Sequence, residues 1–179
     1  MKWRKVSPSR LAFYEALVDL YLEYGEDLRF RCIAVNRTTV DLSRHAHDAE
    51  LGFYKFYYQL LHHWIRSGNT YRIFCDLKSN RDPKRLPVLA RCLSLSNSCR
   101  EAMVDGIQSL PSDEVVLLQL CDVLLGVASS RLNSTLHAGT AKAALVERLE
   151  RALGHSIDHT RRDEKKFNVF VIRLQGSPQ

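Results

Sequence analysis

Two aspartates are the residues of this sequence with the clearest capacity for chemistry, because each stands in an otherwise apolar segment. Asp122 is the only charged residue between positions 115 and 128, and Asp76 lies near the end of the short, mainly apolar run 71–77. Removing an isolated carboxylate from water is costly unless the group is paired or protonated. We therefore expect each aspartate either to have a structural partner or to face a polar cleft in which it can act on a ligand.

The residues around Asp122 predict a polar line along one side of a helix. Gln119, Asp122, Gly126 and Ser129 recur three to four residues apart, which is the spacing of neighbours on one helical face. The line indicates that Asp122 faces a specific group. The structural alternative is a buried aspartate that is bonded to an arginine or to a backbone amide.

Asp76 is interesting for its place at the end of a predicted strand. Ligands of open α/β sheets bind beyond the carboxyl ends of the strands, so a carboxylate there is well placed to meet one. The alternative is an aspartate that caps the following turn together with Ser79 and Asn80.

The pattern of apolar residues predicts an α/β protein. Apolar residues three to four apart indicate helices at about residues 8–24, 51–66, 83–93, 112–130 and 141–153. Apolar runs of strand length indicate strands at about residues 28–35, 71–77, 103–110 and 167–174. We expect Ser112 to cap the fourth helix. We also expect the second helix to be buried on most of its circumference, with its aromatic residues in the core.

The composition predicts one soluble, cytoplasmic domain. A chain of 179 residues, 45% hydrophobic and 26% charged, can bury one core. No apolar stretch is long enough to span a bilayer, and no secretory signal is visible. The 5 cysteines show no zinc-binding spacing, which favours reduced thiols in the cytoplasm. The net charge of +6 and the isoelectric point near 9.2 are compatible with a polyanionic partner.

Other polar residues are weaker candidates. His45, His47 and Asp48 could ligate a metal, although histidines in a polar loop are mostly solvated. Several cations near Asp76 or on the polar side of the second helix could contact phosphate: Lys55, Lys78, Arg81, Lys84 and Arg85. An ordinary solvated surface is the alternative for all of them.

Four stretches of the chain resemble the family called domain of unknown function 3800. They are RFRCIAVNRTTVD, ELGFYKFYYQLL, YRIFCDLK and LLQLCDVLLG, and the resemblance extends from about residue 2 to about residue 174. It implies a ribonuclease H-like α/β fold, in which helices flank a mixed sheet. It also implies that Asp76 and Asp122 are catalytic ligands of Mg²⁺ or Mn²⁺ in a nuclease or phosphodiester-transfer domain acting on DNA or RNA. Gln119 would then support these ligands, and Lys55 or Lys78 would contact phosphate.

The chain departs from that family at its beginning. Members usually start with a strand that contains Asp-Glu-Ser-Gly, and this sequence starts after it. We therefore expect a single ribonuclease H-like domain over residues 1–175 that lacks its first strands, followed by a disordered tail at 176–179. Strand edges left unpaired could join another chain and form an oligomer. The alternative function is a non-catalytic module that keeps the fold and binds nucleic acid or a protein.

Overall fold

The chain is an α/β protein, as the sequence predicts. The computed structural model describes residues 1–43, 47–97, 102–172 and 174. Its helices are α1 (Leu11–Glu23), α2 (Ala49–His62), α3 (Arg85–Asn97), α4 (Val116–Leu132) and α5 (Ala141–Leu153). Its strands are β1 (Phe30–Val35), β2 (Thr70–Asp76), β3 (Met103–Leu110) and β4 (Phe167–Ile172).

The start of α4 differs from its prediction. The helix begins at Val116, and its N-cap residue Val115 makes no capping bond with its side chain. The amide of Glu114 instead donates to the carbonyl of Pro111 (3.1 Å), so that residues 111–114 form a turn after β3. The prediction of a cap at Ser112 is wrong, because the polar residues before the helix are used in this turn.

The structure divides into two compact units, of which the first consists of Met1–Ala34 and Val115–Ile172. It contains α1, α4, α5 and the parallel strand pair β1–β4. The rings of Phe30 and Phe167, one from each strand, lie 4.7 Å apart between their centroids. Each helix adds fully buried side chains to the same core, among them Val18, Val123 and Leu145.

The second unit contains Val35–Glu114 and is built on the parallel strand pair β2–β3. Side chains alternate along β2. Tyr71 and Ile73 pack with α2 and α3 around the buried residues Leu89 and Leu93. The intervening side chains, which end with Asp76, are exposed on the other face. Because β2 and β3 are parallel and are connected through α3, the carboxyl ends of both strands lie at one edge of the unit.

Several expectations stay predictions at this level. The described strands form two separate two-stranded sheets, so each strand is paired along one of its edges. The single mixed sheet of a ribonuclease H-like fold stays a prediction. The same holds for a single domain over residues 1–175 and for an oligomer formed through the free strand edges. His45 and the tail at 176–179 lie outside the described residues. Within the described ranges, no helix combines the length and the apolar character needed to cross a membrane.

Candidate functional site

One glutamate holds the segment after β2 against the start of α2. The carboxylate of Glu50, in the first turn of α2, accepts hydrogen bonds from the backbone amides of Arg81 (2.9 Å) and Asp82 (3.2 Å). These bonds lower the pKa of Glu50, and the Arg81 amide contributes most. The β2–α3 loop, residues 77–84, therefore has a fixed path beside α2.

Aromatic residues of α2 make the next contacts with this loop. Phe53 lies almost one turn after Glu50, and the ammonium of Lys78 is 4.0 Å from the centroid of its ring. The side-chain amide of Asn80 donates to the hydroxyl of Tyr54 (2.8 Å). Phe53 nevertheless remains 46% exposed. The loop and the helix together present an aromatic ring bordered by a cation.

Arg85, at the start of α3, is enclosed by three carboxylates. Its guanidinium contacts Asp48, Glu50 (3.3 Å) and Asp82 (3.7 Å), and only 18% of its side chain is exposed. Asp48 also caps α2 by accepting a bond from the Leu51 amide (3.0 Å), and this bond, more than Arg85, lowers the pKa of Asp48. The charge of Arg85 fixes the loop and the two helix starts, so we leave it out of the candidate phosphate contacts.

Three other cations on or beside the loop are exposed: Lys78, Arg81 and Lys84. We call them the cation triplet. Lys55 is also exposed, but it lies about 200° around α2 from Phe53, at about 100° per residue. The structure therefore brings together three of the five predicted phosphate contacts and leaves Lys55 on another side of the helix.

Asp76 is the last residue of β2 and lies at the carboxyl end of the strand pair. It stands opposite Leu110 in the parallel register. Its side chain is exposed, and none of the described residues donates a hydrogen bond to it, including Ser79 and Asn80. The capping alternative is thus not the arrangement observed. The carboxylate is open to a ligand two residues before Lys78.

Asp122 lies on α4 in the first unit, where residues 1–5 cover it. Its Oδ2 accepts a hydrogen bond from the backbone amide of Trp3 (2.7 Å), and Oε1 of Gln119 accepts one from the Met1 nitrogen. The ring of Trp3 packs directly on Gly126, where an added Cβ would lie 2.1 Å from Trp3 Cγ. The polar line predicted on this helix therefore binds the N-terminal segment. A bond to a backbone amide, the structural alternative for Asp122, is the arrangement observed.

A divalent metal fits these two aspartates unequally. At Asp122 a metal would share Oδ2 with the amide of Trp3 or bind Oδ1 beneath residues 1–5, whereas the Asp76 carboxylate is exposed and accepts no hydrogen bond from the described residues. Among the described residues, no three histidine, cysteine, aspartate or glutamate side chains are grouped so that they could hold a metal ion. Asp76 and Asp122 belong to different units, and their convergence on one cleft stays a prediction.

Two buried cysteines are poor nucleophiles. Burial raises the pKa of the Cys32 thiol to about 12 and raises that of the Cys75 thiol as well. The hydroxyl of Tyr57 donates to Cys75 Sγ (3.0 Å), which opposes the effect of burial only in part. Both thiols are protonated at neutral pH, and neither is a candidate for covalent catalysis.

Sequence reasoning did not single out three residues that shape these regions, of which Glu50 and Trp3 carry little signal and Phe53 carries some. An acidic residue in the first turn of a helix, such as Glu50, is common for its interaction with the helix dipole alone. Phe53 could have been found, because α2 carries apolar residues around nearly its whole circumference, more than one packed face can bury. On α2, Gly52 and Tyr54 are buried and most other residues are half-buried, but Phe53 is 46% exposed, so the prediction that the aromatic residues of this helix lie in the core is wrong for Phe53.

Comparison of the chain with protein-family models, with curated proteins and with solved structures gives no match in any of the three. The resemblance to domain of unknown function 3800 therefore stays a prediction.

Proposed function

We propose that the chain binds nucleic acid through the cation triplet, Lys78, Arg81 and Lys84. The observation that carries this proposal is that three exposed cations stand on one short loop whose path is fixed by Glu50. Because the loop is already ordered, its cations meet a phosphate backbone without the entropy cost of ordering a flexible segment. The proposal includes a ribonuclease H-like framework, from the resemblance, and a cytoplasmic location, from the cysteine composition.

Three acidic groups around the loop, Asp48, Glu50 and Asp82, are already used by other partners, whereas Asp76 is exposed. Glu50 accepts bonds from two amides, Asp82 accepts one from the amide of Lys84 (2.9 Å), and Asp48 caps α2. All three also contact Arg85. The triplet cations are exposed, and the net charge of +6 adds long-range attraction for a polyanion.

The salt dependence of oligonucleotide binding tests the proposal. Each phosphate neutralised on a single strand contributes about −0.7 to the slope of log K against log salt, so three contacts predict a slope of about −2. Replacing the triplet together (Lys78→Gln, Arg81→Gln, Lys84→Gln) should remove most of that slope. We also expect a roughly tenfold or greater loss of affinity at low salt. Fluorescence anisotropy of a labelled oligonucleotide measures both quantities.

A matched control separates a local site from a general effect of charge. Arg37, Arg66 and Arg91 belong to the same unit and are also exposed, so their joint replacement by glutamine changes the net charge by the same amount. We expect this control variant to keep its affinity within about twofold. Equal losses in the two triple variants, or an unmodified chain that binds no oligonucleotide, would contradict the proposal.

Metal-dependent phosphodiester cleavage is the second candidate function. It is favoured by one observation, the exposed carboxylate of Asp76 at the end of β2, two residues before Lys78. Mg²⁺ or Mn²⁺ bound at Asp76 would supply charge stabilisation to the scissile phosphate. Incubating a labelled oligonucleotide with each metal tests it, because cleavage should then require metal and should stop in Asp76→Asn. If the oligonucleotide stays uncleaved and its binding does not depend on metal, nucleic-acid binding without cleavage is the function that remains.

A further inference from the structure

The Phe53 side chain lies beside the β2–α3 loop, where a nucleobase can stack on its ring. We infer that the nucleic acid bound here is single-stranded and that one of its bases stacks on Phe53. This inference rests on the proposed function and adds the form of the substrate to it.

The Phe53 ring is held in place by its neighbours. The ring of Tyr54 lies edge-on to it, 5.5 Å away with an interplanar angle of 85°, and the ring of Tyr57 lies 5.7 Å away at 61°. Phe53 is still 46% exposed. An aromatic ring that is both ordered and exposed can stack on a base with little loss of side-chain entropy.

The charges around the ring favour a polyanion as its occupant. The ammonium of Lys78 is 4.0 Å from the ring centroid. Glu50 is on the same face of α2 as Phe53 and holds the amide of Arg81 (2.9 Å), which keeps a second cation close to that face. A stacked base brings its flanking phosphates to these cations, whereas an apolar partner would cover them without pairing them.

The use of the ring explains why the substrate should be a single strand. Bases inside a duplex have both faces covered by neighbouring base pairs, so only an unpaired base can lie on a side-chain ring. In the free protein, Lys78 covers part of the Phe53 ring. When a base binds, it takes this face, and the ammonium moves to an adjacent phosphate.

The test compares two phenylalanines that are exposed to nearly the same degree. Phe53 is 46% exposed, and Phe74, on the open face of β2, is 44% exposed. Phe53→Leu should weaken binding of oligo(dT) or oligo(U) roughly 5- to 100-fold, because leucine keeps the apolar contact and loses the stacking surface. Phe74→Leu should change it less than about twofold. Both variants are first checked for an unchanged unfolding midpoint.

The unmodified chain should also bind the single strand more tightly than a duplex of the same length. The two single-stranded probes show whether DNA or RNA is bound better. Equal binding of duplex and single strand, or full affinity in Phe53→Leu, would overturn the inference. If the triplet variant still loses binding in that case, the proposed function stands without the inference about Phe53. If the unmodified chain binds none of the probes, the proposed function and the inference are both wrong.

Discussion

Asp76 and Asp122 have similar surroundings in the sequence and different ones in the structure. The Asp122 carboxylate accepts the amide of Trp3 at 2.7 Å, whereas the Asp76 carboxylate is exposed and receives no hydrogen bond from the described residues. Residues 1–5, which are far from Asp122 in sequence, make the difference. Apolar flanks therefore do not by themselves show that a carboxylate is covered, because the alternation of β2 turns Asp76 to solvent while residues 1–5 lie over Asp122.

The contact of Trp3 with Gly126 gives a large expected effect on stability and tests the covered side of this comparison. A Cβ at position 126 would lie 2.1 Å from Trp3 Cγ, so Gly126→Ala must displace the ring and strain the hydrogen bond that the Trp3 backbone amide donates to Asp122. Overpacking of this kind costs about 1–3 kcal/mol, and the better helix propensity of alanine returns up to about 1 kcal/mol. We expect a net loss of about 1–2 kcal/mol in the free energy of unfolding, measured with urea.

The same substitution in a Trp3→Gly background is the control for this prediction. Without the Trp3 side chain, the three atoms nearest to the added Cβ are gone, and the helix propensity of alanine should make the change neutral or stabilising by up to about 1 kcal/mol. The two substitutions are therefore expected to be strongly coupled. Additive effects would show that residues 1–5 do not lie on α4 in solution.

Much of the fold could be predicted from periodicity. The strand bounds at 103–110 and the helix bounds at 141–153 coincide with those of β3 and α5. Thr140 caps α5, and Gly154, at φ 78°, ends it in the left-handed region, so both ends of this helix are encoded locally. The predicted start of α4 at Ser112 is wrong because the polar residues before the helix belong to the turn after β3.

The candidate site was only partly predictable, because its geometry depends on contacts between distant segments. The sequence placed Lys78, Arg81 and Lys84 near Asp76, but it gave the same weight to Arg85. Only the packing of α2 against the loop shows that Arg85 lies among three carboxylates. For the same reason no local pattern could join Trp3 to Asp122.

A smaller effect on the free energy of unfolding is expected from replacing Glu50, which anchors the β2–α3 loop. The pKa of Glu50 is lowered in the folded state from its usual value of 4.5, chiefly by the amide of Arg81. A lowered pKa means that the contribution to stability is present above about pH 4.5 and is lost as the pH falls through the folded-state pKa. Glu50→Gln should therefore be less stable than the unmodified chain at neutral pH, and this difference should shrink below about pH 4.5.

Urea unfolding between neutral and acidic pH measures this difference. Glu114→Gln, at an exposed position of the same unit, serves as the control and should follow the unmodified chain. A Glu50→Gln variant whose stability deficit is the same at every pH would show that its carboxylate charge does not hold the loop.

The contrast between the two aspartates is tested most directly by making the same substitution at both and recording stability and oligonucleotide affinity together. Asp122→Leu leaves the Trp3 amide without its acceptor, which should cost about 1–3 kcal/mol of unfolding free energy and leave affinity unchanged. Asp76→Leu should change stability by less than about 0.5 kcal/mol. It should raise affinity roughly two- to fivefold, because a negative charge beside the cation triplet is removed. A destabilised Asp76→Leu with unchanged affinity, or a stable Asp122→Leu that binds differently, would contradict the account.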